Sequence, residues 1–214
     1  MGFGLRHFSI GRRSGNWIHF LRSIMARICN IILVCEGWRD SAFARGFLES
    51  SGSRRVHEKR NPRGSGHDWV KTQFVEESAG LARFSEGRGV LGLLDEDGQG
   101  ASVRESEIEE ALRNQNLGSL SPSDGRCLLL PTRNLETWLY WLKSHQNGTA
   151  VSIDEASNYK KQPPTGSARV EDRDCRPAGV YLHTLNHTQL TEACPSMLRK
   201  GLQQLRDFLN AVRR

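Results

Sequence analysis

The stretch ILVCEGWRDSAFARGFL, residues 32–48, decides how the rest of the chain reads. Its apolar start completes a run from Asn30 to Cys35 that has the length and character of a strand covered on both faces. A Glu-Gly pair, Glu36 and Gly37, follows at once. Ser41 to Leu48 then has Phe43 and Phe47 four residues apart, the spacing of one helix face. A buried strand that ends on a carboxylate raises the question of what that carboxylate meets.

The same rhythm continues downstream. A second strand is expected over Ser53–His57 and a second helix over Asp68–Phe84, carrying Trp69, Phe74 and Leu81. GVLGLL, residues 89–94, reads as another buried strand. Ser102 is placed to cap a helix from Val103 to about Asn114, with Glu105 in its first turn. CLLL, residues 127–130, reads as a fourth strand that ends at Pro131, and Asn134–Ser144 as a helix. Residues 146–179, rich in Gly, Pro, Ser and charge, read as a long loop with room for one short helix. From residue 195 to 212 an amphipathic helix is expected, with Leu198, Leu202, Leu205 and Leu209 on one face. This alternation predicts an α/β fold with a mostly parallel four-stranded sheet, helices on both faces and a C-terminal helix. Residues 30–214 are expected to form one domain, with its motifs in residues 30–145.

Composition narrows the function. The chain has 214 residues, 37% of them hydrophobic, and a formal charge of +6. Five of those charges come from Arg6, Arg12, Arg13, Arg22 and Arg27, in a leader without Asp, Glu or Lys. The body is thus nearly neutral, and net charge alone argues little for a polyanion partner. Residues 1–29 read as a basic N-terminal extension open to disorder: a targeting segment, an interfacial helix, or sequence upstream of a start at Met25. No apolar run approaches the roughly 18 residues of a membrane span. The five cysteines lack a C-x-x-C pair, so neither a disulfide framework nor a zinc knuckle is indicated, and a reducing, cytoplasmic setting is expected. The ATPase loop G-x-x-x-x-G-K-[ST], H-E-x-x-H and G-x-S-x-G are all missing, which argues against an ATPase, a zincin and an α/β-hydrolase.

Ligands of open parallel sheets bind outside the carboxyl ends of the strands. Glu36 leaves the first strand there, and Asp95 and Asp97 of LLDEDGQG leave the third. Hard Mg²⁺ prefers oxygen ligands and commonly takes one or two carboxylates together with phosphate oxygens. Alternate residues share a face, so Asp95 and Asp97 can aim at one ion, and Glu36 can ligate it or act as acid or base. Capping or turn roles remain the alternative for each. Lys160 and Lys161, with Arg54, Arg55, Lys59, Arg60 and Arg63 around the second strand, are candidates to grip a substrate backbone or are simply solvated. His183 and His187, four residues apart, lack an acidic third ligand and are not favoured as a metal pair. Trp38, Trp69, Trp138 and Trp141 are expected in or at the edge of the core.

At these residues the sequence resembles the Toprim superfamily. CEGWRDSAFARGF is similar to its first motif, with Asp40 after the Glu-Gly pair, and GLLDEDGQG to its second, with Glu96 as an unusual charged middle residue. LLLPTRNLETWLYWL, residues 128–142, followed by Tyr159 and Lys160, resembles small stand-alone prokaryotic Toprim proteins and the overcoming-lysogenization-defect type. The resemblance covers roughly residues 30 to 160. It implies a Toprim-like, Rossmannoid fold and a site for Mg²⁺ or Mn²⁺ formed by Glu36, Asp95, Asp97 and Glu136. Catalytic roles for Glu36, Asp95, Asp97 and Lys160 go with it. The implied activity is a metal-dependent phosphodiesterase, foremost a nuclease acting on nucleic acid. A setting in prokaryotic defence against phage or plasmids, a separate ATPase partner and a homodimer belong to the same expectation. The alternatives are a non-catalytic binding module working with such an ATPase, or a hydrolase of small phosphate esters.

Overall fold

Four short runs form one sheet: β1 (Asn30–Cys35), β2 (Arg55–Arg60), β3 (Arg88–Leu93) and β4 (Arg126–Leu129). A computed structural model of the chain describes residues 30–53, 55–62, 66–81, 87–149, 151–190 and 193–213. The N-terminal extension 1–29, Arg54 and Arg63 lie outside the described residues. All strand pairs are parallel and the order is β2-β1-β3-β4, so the chain is α/β with a Rossmann-like sheet. Among the described residues six helices accompany it: α1 (Trp38–Ser50), α2 (His67–Leu81), α3 (Ala101–Asn114), α4 (Leu135–Gln146), α5 (Asp172–Thr184) and α6 (Ser196–Val212).

The strands alternate their side chains between two cores. On one face Ile31, Leu33, Leu91, Leu93 and Leu129 pack with Phe43, Phe47, Trp138 and Phe208 from α1, α4 and α6. On the other, Val34, Val90 and Leu128 meet Val70 and Phe74 of α2 and Ile108 and Leu112 of α3. The expected leucine stripe of α6 is buried. Cys35, Cys127, Cys175 and Cys194 are buried free thiols. No helix among the described residues is long and apolar enough to cross a membrane.

Three expectations need correction. The second strand is Arg55–Arg60 rather than Ser53–His57, because its pairing with β1 runs on until Arg60 stands opposite Cys35. The third helix starts at Ala101, so Ser102 lies inside it; its N-terminus is set by Gly100, whose N–H donates to the Glu96 carboxylate at 2.7 Å. Residues 172–179 are not loop but the start of α5, which forms despite Pro177 in its interior. Packing against α1 outweighs the hydrogen bond that proline removes. His183 and His187, not favoured as a metal pair, are parted by the end of α5 at Thr184, and His183 lies edge-on to Phe47.

Candidate functional site

The strand order reverses between β1 and β3, since β2 lies beyond β1 on one side and β4 beyond β3 on the other. Such a switch point leaves a crevice at the carboxyl ends of the two middle strands. Cys35 pairs with Leu93, so Glu36 and the DED segment leave the sheet side by side.

Strand-like pairing continues past β3 and holds that segment in place. Leu94 N–H donates to Leu129 O, Glu96 N–H to Pro131 O and Asp97 N–H to Arg133 O. The three acids then do different work. Asp95 is 5% exposed; its Oδ1 accepts the Leu135 N–H at 2.9 Å, at the start of α4, and its Oδ2 takes the Lys160 ammonium. Glu96 turns away and ties loops, accepting from Gly100 N–H and, at 2.9 Å, from Arg133 N–H. Its charge is consumed by backbone donors, which accounts for an acid in the middle of the motif. Asp97 is exposed at the crevice mouth with φ 54°, a left-handed conformation that Asp tolerates better than most residues.

The other wall comes from α1 and α4. Asp40 Oδ2 accepts the Gly37 N–H at 3.0 Å and brings its carboxyl beside Glu36 and Asp95. Glu36 Oε1 is buried and has no hydrogen-bond partner among the described residues. Glu136, 3% exposed in the first turn of α4, is paired with Arg39, while its Oε2 is likewise buried and unpartnered. Arg39 also reaches Asp172 at 2.9 Å and Val170 O at 2.8 Å, so one guanidinium ties α1, α4 and α5 together.

Lys160 arrives from the long connection between α4 and α5. Tyr159 beside it is buried against Tyr140, with ring centroids 5.6 Å apart, and its hydroxyl accepts the Asp154 N–H at 2.8 Å. Glu155 fixes the same segment to Thr132 and Ser196. The ammonium is thereby delivered into the carboxylates.

Charge in the crevice is unbalanced. Burial pushes Glu36 upward, and Asp97 adds to the effect. Burial, then Asp95, raises Asp40; burial raises Asp95 even against the neighbouring ammonium. Burial works against the charge on Lys160, yet Asp95, Glu136 and Asp97 hold its proton more tightly than usual. Lys160, with Arg104 near Glu36 and Arg39 on Glu136, thus offsets only part of several crowded carboxylates, and Glu36, Asp40 and Asp95 retain their protons above the ordinary range.

The donor set is all oxygen, as a hard cation requires, and Glu36 Oε1 is a buried acceptor in need of a partner. As the side chains stand, no three His, Cys, Asp or Glu residues among those described are grouped to hold one ion. Mg²⁺ commonly takes only one or two carboxylates, so its chemistry fits this set, with Lys160 in the position of the counter-charge.

A pH dependence follows. In the unfolded chain these carboxyls titrate near about 4. The native cluster binds more protons above that value, so its stabilising contribution is full below it and is lost as pH rises through the raised values. Lys160, whose proton is held more tightly than usual, stays charged throughout. In EDTA, stability is therefore expected to fall between about pH 5 and about pH 8, and Mg²⁺ to offset that fall with release of protons. Urea midpoints with and without Mg²⁺ check the first part, and calorimetric titration in buffers of different ionisation enthalpy checks the second.

Not every expected residue reaches the crevice. Arg55 pairs with Asn30 at the amino end of β1, about 20 Å along the sheet from Glu36. Lys59 is paired with Glu77 and Arg60 with Glu58, while Lys161 is exposed. The sequence reading missed Asp40 and Arg39 as site residues, although Asp40 stands four residues after Glu36, a helical spacing that could have signalled it. It also missed Arg104, a buried arginine on α3 that lies close enough to Glu36 to favour its charge. Trp38, expected near the core, is 53% exposed, because α1 starts three residues earlier than its apolar pattern suggests and Trp38 is its first residue.

Fold and site together define an α/β protein with a Rossmann-like parallel sheet and an acidic crevice at its switch point. No family model, curated protein or solved structure matches the chain.

Proposed function

We propose that this chain is a Toprim-type phosphodiesterase that depends on Mg²⁺ or Mn²⁺ and acts on nucleic acid. The observation that carries this reading is the convergence of Glu36, Asp40, Asp95 and Asp97 at the switch point, with Glu36 Oε1 buried and unpartnered. Residues that would hold the cation are Glu36, Asp95 and Asp97, the last at the exposed mouth where substrate enters. Glu136, tied to Arg39, would orient rather than ligate. A divalent ion supplies charge neutralisation at the phosphoryl oxygens and an acidified water for attack. Glu36, whose proton affinity is raised, can accept a proton from the attacking water. Lys160, moved off Asp95, can meet the charge that develops on the phosphate. A buried acidic cluster whose ionised form is opposed by burial costs the fold free energy, which favours a functional over a structural role for it.

The test is hydrolysis by the full chain of bis(p-nitrophenyl) phosphate and of plasmid, linear duplex, single-stranded DNA and RNA, with Mg²⁺, Mn²⁺ or EDTA. Metal-dependent cleavage abolished by Asp97→Asn is the expected result. No cleavage of any substrate would remove the catalytic reading and leave a binding module.

A further inference from the structure

From the position of Trp38 we infer that the substrate is engaged through an unpaired base, so that the site takes single-stranded nucleic acid in preference to duplex. The inference deepens the phosphodiesterase reading and rests on it.

Trp38 is the most exposed large hydrophobic side chain among the described residues, at 53%, whereas Trp138 and Trp141 are buried. It sits two residues after Glu36, at the N-terminus of α1 and at the carboxyl edge of the sheet. The guanidinium of Arg60 lies 5.8 Å from the centre of its ring. Arg60 ends β2 opposite Cys35, which fixes it at the level where Glu36 leaves the sheet. The crevice therefore has carboxylates on its β3 side, and beside it on the β2 side lies an aromatic plate packed on the Arg60–Glu58 ion pair.

Core packing does not explain this placement, since the apolar residues of α1 that pack are Ala42, Phe43, Ala44, Phe47 and Leu48. An aromatic ring left open beside a phosphate-directed site offers what a nucleobase needs, a flat π-face whose binding is indifferent to sequence. Arg60, itself paired with Glu58, lies over the ring and helps to hold its orientation, while more than half of the Trp38 surface stays open to a base. Bases of a duplex are already stacked, so this plate favours a strand whose bases are free.

The test compares the affinity of the full chain in Ca²⁺ for a labelled single strand and for its blunt duplex, using fluorescence anisotropy. Trp38→Ala is expected to weaken the single strand by about tenfold and the duplex much less, with Trp38→Phe restoring most of the loss. Val180→Ala, which removes another exposed apolar side chain, is expected to change neither. Single strand should also quench tryptophan emission in the parent protein and fail to do so in Trp38→Ala. Equal losses for both substrates, or none, overturn the inference whatever the catalytic result. Failure to hydrolyse bis(p-nitrophenyl) phosphate would count against the phosphodiesterase reading alone, and strand preference dependent on Trp38 would still support the plate.

Discussion

Glu36→Gln is expected to lower metal-dependent phosphodiester hydrolysis by about 10³-fold while leaving the protein as stable as before, or more so, when unfolded in EDTA. The two halves of this result have one cause. Glu36 sits where burial and Asp97 oppose its charge, so its ionised form costs the native state free energy without a cation. Glutamine keeps the shape and removes the charge. It therefore relieves the fold and removes a cation ligand and proton acceptor in the same step. Rate measurement in Mg²⁺ beside thermal unfolding in EDTA at about pH 8 checks both. Activity that survives would place the chemistry elsewhere, and a joint collapse of activity and stability would make Glu36 a structural group.

Gly179→Ala is expected to destabilise the chain by about 3 kcal/mol or more, a loss of about 6–12 °C in thermal midpoint for a protein of this size. A Cβ at Gly179 would stand 2.0 Å from the Phe43 carbonyl oxygen, and one at Gly46 would stand 2.2 Å from that of Arg176. These glycines let α1 and α5 approach backbone to backbone, and no side-chain rotation can relieve a clash with a main-chain atom. Gly46→Ala should act alike. Gly80→Ala, at a position where a Cβ meets nothing, serves as the control and should be neutral or slightly stabilising. The consequence reaches the crevice, because α1 carries Trp38, Arg39 and Asp40 while α5 begins at Asp172, the partner of Arg39. Thermal unfolding by circular dichroism measures the loss; a change below about 1 kcal/mol would mean the helices can part without cost.

The chain itself was enough to locate β1, β3 and β4, the helices that follow β1 and β4, and three carboxylates at strand ends. Each depends on neighbours in sequence: an apolar run of strand length, a glycine or proline that stops it, and an acid immediately beyond. Strand order then needed contacts between distant segments, and with it the crevice between β1 and β3. Tertiary structure alone decided that Glu96 ties loops while its neighbours face the crevice, since its partners are backbone donors of Gly100 and Arg133. It decided that Lys160 is not merely solvated, because Tyr159 packs on Tyr140 and carries the lysine to an aspartate 65 positions away. It decided that residues 172–179 coil into α5, where close packing on α1 overrides a proline and a polar composition. Local pattern reports what a segment can bury; which charge meets which is set by contacts between segments far apart in the chain.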